Sequence, residues 1–77
     1  MVKRRVMFTF KSETVGEPII YNIGQQFNVA TNIYRAEVTE HGGEIALELD
    51  GKDEDIEAAI AWAISRGVRV EPVSDEV

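Results

Sequence analysis

A turn near the middle of the chain limits the fold more than any other single feature. Residues 40–43 read Glu-His-Gly-Gly, and two adjacent glycines in a short polar stretch are typical of a hairpin turn. The segments on its two sides, 29–39 and 44–50, are rich in residues that prefer β-strands. In the second segment every other residue over 45–49 is isoleucine or leucine, as in a strand with one buried face. The sequence therefore predicts an antiparallel pair at the centre of the chain.

The strand predicted over residues 29–39 is irregular. Its candidate core residues change parity half-way along, from Val29, Thr31 and Ile33 to Ala36 and Val38. One extra residue near Tyr34 or Arg35, accommodated as a β-bulge, would bring both groups to one face. The alternative is a strand buried on both faces, because Tyr34 shares its parity with Ala36 and Val38.

The first part of the chain predicts a strand followed by a helix. Residues 2–10 alternate in polarity, so a strand there would turn Val6, Phe8 and Phe10 to the core. A helix can then begin at Pro18, because proline is tolerated in the first helical turn. Its apolar face would be formed by Ile19, Ile20, Ile23 and Phe27.

The last part of the chain predicts a helix followed by a strand. Asp53 suits an N-cap, Arg66 lies in the last turn, and Gly67 is the expected left-handed residue after the helix. The buried stripe would consist of Ile56, Ala59, Ile60, Ala63 and Ile64. Trp62 lies off that stripe, at a boundary. A short strand over 68–72 and a frayed tail complete the chain.

The predicted order of elements is therefore strand–helix–strand–strand–helix–strand. This is the split βαβ arrangement of the ferredoxin-like fold, an α+β sandwich. Right-handed crossovers place both helices on one face of a four-stranded antiparallel sheet, in strand order 4-1-3-2. The other face is left open. We expect one domain over residues 1–77, with an ordered core of about 2–73.

The residue types present leave little for catalysis. The sequence contains no cysteine and a single histidine, His41, so thiolate metal sites, iron–sulfur clusters and cysteine nucleophiles are excluded within it. The acidic run over 53–57 lacks the central glycine and alternating donors of an EF-hand, and the start of a helix explains it better. We expect no enzyme activity, no metal site and no cofactor.

The charge is acidic but unevenly distributed. The net charge is −6, yet residues 1–11 hold four basic residues and no acid. An acidic domain repels phosphate backbones, which disfavours nucleic acid as a partner. The longest apolar stretch, 58–64, is too short to span a membrane, and no signal peptide is apparent. We therefore expect a cytoplasmic location without membrane insertion.

Asn32 is the residue that most needs an explanation. Asparagine in the middle of a β segment is unfavourable unless its amide forms useful hydrogen bonds. In one interpretation the amide satisfies backbone groups at the predicted bulge. In the other it points at a ligand or at a second copy of the chain.

The residues around Asn32 resemble a known family. Asn32-Ile33-Tyr34, about thirty residues into a domain of this order, is similar to the motif of the NIL domain. The resemblance covers essentially residues 2–73. Tyr34 stands where the family has leucine. The supporting context is Ala36-Glu37-Val38, the Gly42-Gly43 turn, the Ala59-Ile60-Ala61-Trp62 helix and the Gly67-Val68 strand.

The resemblance implies a function. NIL domains are found as C-terminal regulatory domains of methionine-importing ABC transporter ATPases, where paired domains bind methionine, and with some iron–sulfur ferredoxins. The family's ligand-contacting asparagine falls on Asn32, with Ile33 and Tyr34 beside it. We therefore expect a non-catalytic regulatory module, as a homodimer, that binds an amino acid such as methionine at the open sheet face or a dimer interface.

An alternative function stays open. The same module could dock on a ferredoxin-type or sulfur-transfer protein partner in sulfur-amino-acid metabolism. The sequence features that favour docking are the basic first strand and the off-stripe Trp62.

Overall fold

The computed structural model describes residues 1–11 and 18–73, which form one antiparallel sheet and two helices. The elements in chain order are β1 (Val2–Lys11), α1 (Ile19–Gln26), β2 (Val29–Thr39), β3 (Gly42–Gly51), α2 (Asp53–Ser65) and β4 (Arg69–Pro72). The sheet order is β2-β3-β1-β4, which is the predicted order. The predicted ferredoxin-like βαββαβ fold is therefore confirmed. Residues 12–17 and the end of the predicted tail, 74–77, lie outside the described residues.

The core lies between the two helices and one face of the sheet. Its strand side is centred on Val6, Phe8, Leu47 and Leu49, none of them more than 2% exposed. These residues come from β1 and β3, the two central strands, and they alternate as the sequence predicts. The strands also contribute Phe10 and Val29, and the helices and the chain after them contribute Ile19, Ile23, Ile56, Ala59, Ala63 and Val68.

The helix ends differ from the sequence prediction by about one residue. Pro18 is the N-cap of α1, and its carbonyl accepts a hydrogen bond from the Asn22 N–H at 2.9 Å. In α2 the N-cap is Lys52 rather than Asp53, which is instead the first helical residue. Asp53 still lies in the first turn, where the helix dipole favours a carboxylate. Gly67 has φ +90°, so it ends α2 in the predicted left-handed conformation.

The central hairpin requires glycine at one position. The turn residues are Glu40 and His41, and β3 begins at Gly42 with φ +140°. A Cβ atom at Gly42 would clash with the carbonyl oxygen of Phe10 in the neighbouring strand. Both the backbone angle and the close approach of β1 therefore restrict this position to glycine.

β2 contains the predicted bulge. Its register with β3 shifts between Ile33, which pairs with Leu47, and Arg35, which pairs with Ala46, so Tyr34 is the extra residue. The alternative of a strand buried on both faces is wrong, because β2 is an edge strand and most of its residues are exposed. Within the described part of the chain, no helix is long and apolar enough to cross a membrane.

Candidate functional site

The alternation of side chains along β2 divides the predicted site residues between the two faces of the sheet. Asn32 pairs with Glu48, and paired residues of an antiparallel ladder project from the same face, so both lie on the open face. Ile33 pairs with the fully buried Leu47 and therefore projects towards the helix side, where it is 53% exposed at the edge. The structure brings Asn32 and Tyr34 to the open face and places the Ile33 side chain on the other.

A polar row crosses the open face at the level of Asn32. Glu48 pairs with Asn32 of β2 on one side and with Arg5 of β1 on the other. The Arg5 Nε atom lies 3.6 Å from the Glu48 Oε2 atom. Neighbouring strands are about 4.8 Å apart, so the three side chains span about 10 Å of the surface. The row combines an amide, a carboxylate and a guanidinium.

An apolar row lies directly beside the polar one. Ala46 of β3 pairs with Met7 of β1 and, on the β2 side, with Arg35, beside which the bulged Tyr34 adds its ring. Arg5 lies over the Tyr34 ring, with its guanidinium carbon 5.2 Å from the ring centroid, within the range of a cation–π contact. Ala46 is only 4% exposed although it is on the open face. The larger side chains around it therefore cover the sheet at this point.

The amide of Asn32 is available for a ligand. Among the residues that the structure describes, none forms a hydrogen bond with this side chain, and Asn32 itself is exposed. The interpretation in which the amide satisfies backbone groups at the bulge has no such contact to support it. An exposed, unpartnered amide in a strand is disfavoured by β propensity and has water as its alternative partner.

Two cavities lie elsewhere on the domain. One, of about 160 Å³, is apolar and opens between the start of α1 and the hairpin, with Ile20, Tyr21 and Val38 in its wall. The other, of about 320 Å³, is shallow and lies beside His41 at the hairpin. Neither includes Asn32, since Val38 is six residues further along β2, about 20 Å at the rise of a strand. In the described residues no cluster of acidic or histidine side chains fits a metal ion.

Sequence reasoning did not assign Arg5 and Glu48 to the site. Alternation predicts that each lies on the face opposite the core residues, but their contact depends on the register between β1 and β3. These strands are separated by a helix and another strand, so no short turn reveals their register. Opposite charges at equivalent positions of the two central strands were the available signal.

Comparison with known proteins identifies the family. The model of the NIL domain matches residues 4–72, nearly the whole chain. The chain belongs to the NIL domain family. A solved structure, the C-terminal domain of an ABC transporter ATP-binding protein from Enterococcus faecalis, superposes with a TM-score of 0.82. That match has 26% sequence identity and covers 95% of this chain and 86% of the other.

Curated relatives of this NIL domain are much longer proteins. The methionine import ATP-binding protein MetN of Escherichia coli K12 is 33% identical over 66 residues, which are 80% of this chain and 19% of the relative. The MetN protein of Shigella flexneri serotype 5b gives the same values. The chain thus spans about a fifth of the length of the curated relatives it matches.

Proposed function

We propose that this chain is a non-catalytic regulatory module that binds an amino acid such as methionine on the open face of its sheet. The observation that carries the proposal is the exposed amide of Asn32, which has no partner within the described residues and stands beside an apolar row. An amino acid with an apolar side chain has a polar head and an apolar tail, and the two rows offer one surface for each. The membership in the NIL family and the kinship to a methionine import ATPase support this ligand class.

Asn32 and Tyr34 are the proposed ligand contacts, with Ile33 at the edge behind them. The amide offers both a donor and an acceptor to the ligand's head group. The tyrosine ring offers a flat apolar surface for the side chain, and aromatic rings also attract thioether sulfur. Tyr34 is 50% exposed, so a ligand can reach its ring.

A second copy of the chain is the proposed cover for this site. The open face is a surface rather than a cleft, and small ligands bind best where most of their surface is buried. β2 is an edge strand with Ile33 and Val38 53% and 58% exposed, and an edge of this kind can pair with another strand. Pairing of two β2 edges would place a second copy next to Asn32. The proposed location of this homodimer is the cytoplasm.

The features that favoured docking on a protein partner have internal contacts in this structure. Arg4 binds Glu57 at 2.5 Å and Asp53 at 3.2 Å, both in α2. Trp62 packs on Phe27 with ring centroids 6.0 Å apart. Arg4 and Trp62 thus have internal contacts, and the docking function stays a prediction.

Isothermal titration calorimetry with methionine tests the proposed function, with alanine and glutamate as comparison ligands. We expect a saturable heat with methionine that is much weaker with both others. Light scattering with size-exclusion chromatography would measure the mass of the protein with and without ligand, and we expect a dimer in both cases or on ligand addition. No heat and no thermal shift at millimolar methionine would contradict the ligand assignment.

A further inference from the structure

Glu48 lies at the centre of the polar row, and its surroundings are unusual for a surface carboxylate. Its side chain is only 20% exposed, because it sits on a central strand with Asn32 on one side and Arg5 on the other. Its contact with Arg5 is 3.6 Å long, well beyond the 2.7–2.9 Å of a direct charge-assisted hydrogen bond. A carboxylate can accept about four hydrogen bonds, so the contact with Arg5 leaves most of this capacity for another cation.

We propose that Glu48 and Arg5 bind the charged head group of the ligand. The site would then bind a free zwitterionic α-amino acid in preference to one whose ammonium or carboxylate group is chemically blocked. The inference rests on the proposed function and extends it to two residues of the central strands. Glu48 accepts hydrogen bonds from the α-ammonium group. Arg5 donates to the α-carboxylate, and Asn32 completes the row.

The arrangement of charges supports this assignment. The carboxylate and the guanidinium are adjacent and of opposite sign, as are the ammonium and carboxylate of an amino acid. Binding therefore adds a complementary pair beside an existing one, without burying a net charge, which would be costly. The partial burial of Glu48 strengthens its interaction with an ammonium group, because water screens it less than it screens a fully exposed carboxylate.

The distance between the two rows sets the length of the ligand's side chain. Residues two apart on a strand are about 6.7 Å apart, so the row of Tyr34, Ala46 and Met7 begins about that far from the polar row. An extended side chain of four heavy atoms reaches about this distance from its α-carbon. Branching at the β-carbon would bring a methyl group against the charged groups instead. The geometry favours an unbranched apolar side chain.

Calorimetry with three ligands tests the inference. Methionine carries both charges, N-acetylmethionine lacks the ammonium group, and methionine amide lacks the carboxylate. For the unmodified protein we expect both blocked ligands to bind at least about tenfold more weakly, since charge-assisted hydrogen bonds are lost. Glu48→Gln should weaken methionine at least about tenfold and leave N-acetylmethionine nearly unchanged. Arg5→Gln should likewise weaken methionine at least about tenfold and leave methionine amide nearly unchanged.

The chain offers matched controls on the same face. Glu44→Gln changes a carboxylate of the same strand two rows away, and Lys3→Gln changes a cation next to Arg5 along β1. Both are expected to leave all three affinities unchanged. The measured quantity is the ratio of two affinities within one variant, so a general loss of stability cannot imitate the effect. Glu48→Asp, which keeps the charge, should restore part of the discrimination.

The outcomes separate the inference from the proposed function. If the unmodified protein binds none of the three ligands, the proposed function itself is wrong. A second outcome is that the unmodified protein binds methionine and N-acetylmethionine equally, and a third is that Glu48→Gln and Glu44→Gln show the same ratio of affinities for these two ligands. Either result would mean that Glu48 and Arg5 do not bind the head group. In that case methionine binding by Asn32 stands and this inference is overturned.

Discussion

Replacement of Asn32 by alanine distinguishes a binding role for this residue from a structural one. The side chain is exposed, lies on an edge strand and has no hydrogen bond within the described residues, so little folding energy depends on it. Surface substitutions of this kind change stability by no more than about 0.5 kcal/mol. Alanine and asparagine are both weak strand formers, so β propensity adds little in either direction. We expect an unchanged fold.

The effect on ligand binding should be much larger. A ligand group that loses a hydrogen bond in a partly covered site costs about 1–3 kcal/mol. At 1.4 kcal/mol per tenfold change, this is about a 5-fold to 150-fold weaker affinity for methionine. The substitution is therefore expected to separate binding from stability by a wide margin.

Two measurements on each protein check this prediction. Urea denaturation gives the stability; with an m-value of about 1 kcal/mol per molar, a change of 0.5 kcal/mol moves the midpoint by about 0.5 M. Calorimetry gives the affinity for methionine. Thr31→Ala is the matched control, because Thr31 precedes Asn32 on β2 but pairs with Leu49 and so projects from the helix side. It should leave the affinity unchanged.

Two results would refute the reasoning. A stability loss of about 2 kcal/mol or more in Asn32→Ala would show that the amide supports the bulge. Normal affinity in Asn32→Ala combined with weak binding in Val38→Ala would move the ligand to the apolar cavity beside α1. In either case the open face would lose its assigned role.

Three further predictions concern the fold, and urea denaturation measures all of them. Gly42→Ala should destabilise the domain by more than about 1 kcal/mol, because of the positive φ and the clash with Phe10. Gly24→Ala, which has open space around it, should stabilise α1 by about 1 kcal/mol. Equal effects of the two substitutions would contradict the assignment of Gly42 as a position that requires glycine. Leu47→Ala, fully buried on a central strand, should cost about 2–5 kcal/mol, and a cost below 1 kcal/mol would mean that the core is not centred there. Arg4→Gln should cost less than about 1 kcal/mol and less still in high salt, because its ion pairs with α2 are partly exposed; a cost that salt does not reduce would argue against an electrostatic role.

The sequence was sufficient for the fold because the relevant signals are local. Alternation over β1 and β3 identified Val6, Phe8, Leu47 and Leu49 as core residues, and all four are buried. Element order then left few arrangements, since crossover connections are right-handed and hairpins join neighbours. The misplaced N-cap of α2 is a small error of the same origin. Asp53 suits both the N-cap and the first turn of a helix, and only the backbone conformation decides between these two positions.

The candidate site was predicted only in part because it depends on non-local register. Asn32 and Tyr34 were visible as an irregular motif, but nothing local places Arg5 opposite Glu48. That pairing follows from how β1 lies between β3 and β4. Asn28, which follows α1, shows that a local signal can also mislead. It is a residue type that often ends a helix in the left-handed region, yet no residue other than glycine has positive φ in the described chain, and Phe27 is already extended.

The bulge at Tyr34 links the fold of β2 to the proposed chemistry. Without an extra residue, β2 could turn either Val29, Thr31 and Ile33 or Ala36 and Val38 to the helix side, but not both groups. The inserted residue solves this packing problem, and its own side chain is left on the open face next to the polar row. There it receives the Arg5 guanidinium, which also contacts Glu48. A structural irregularity on an edge strand therefore places an aromatic ring beside the groups proposed to bind an amino acid. In a regular strand that kept Ala36 and Val38 on the helix side, Tyr34 would share their face, so the bulge allows its ring to lie on the open face while they stay on the helix side.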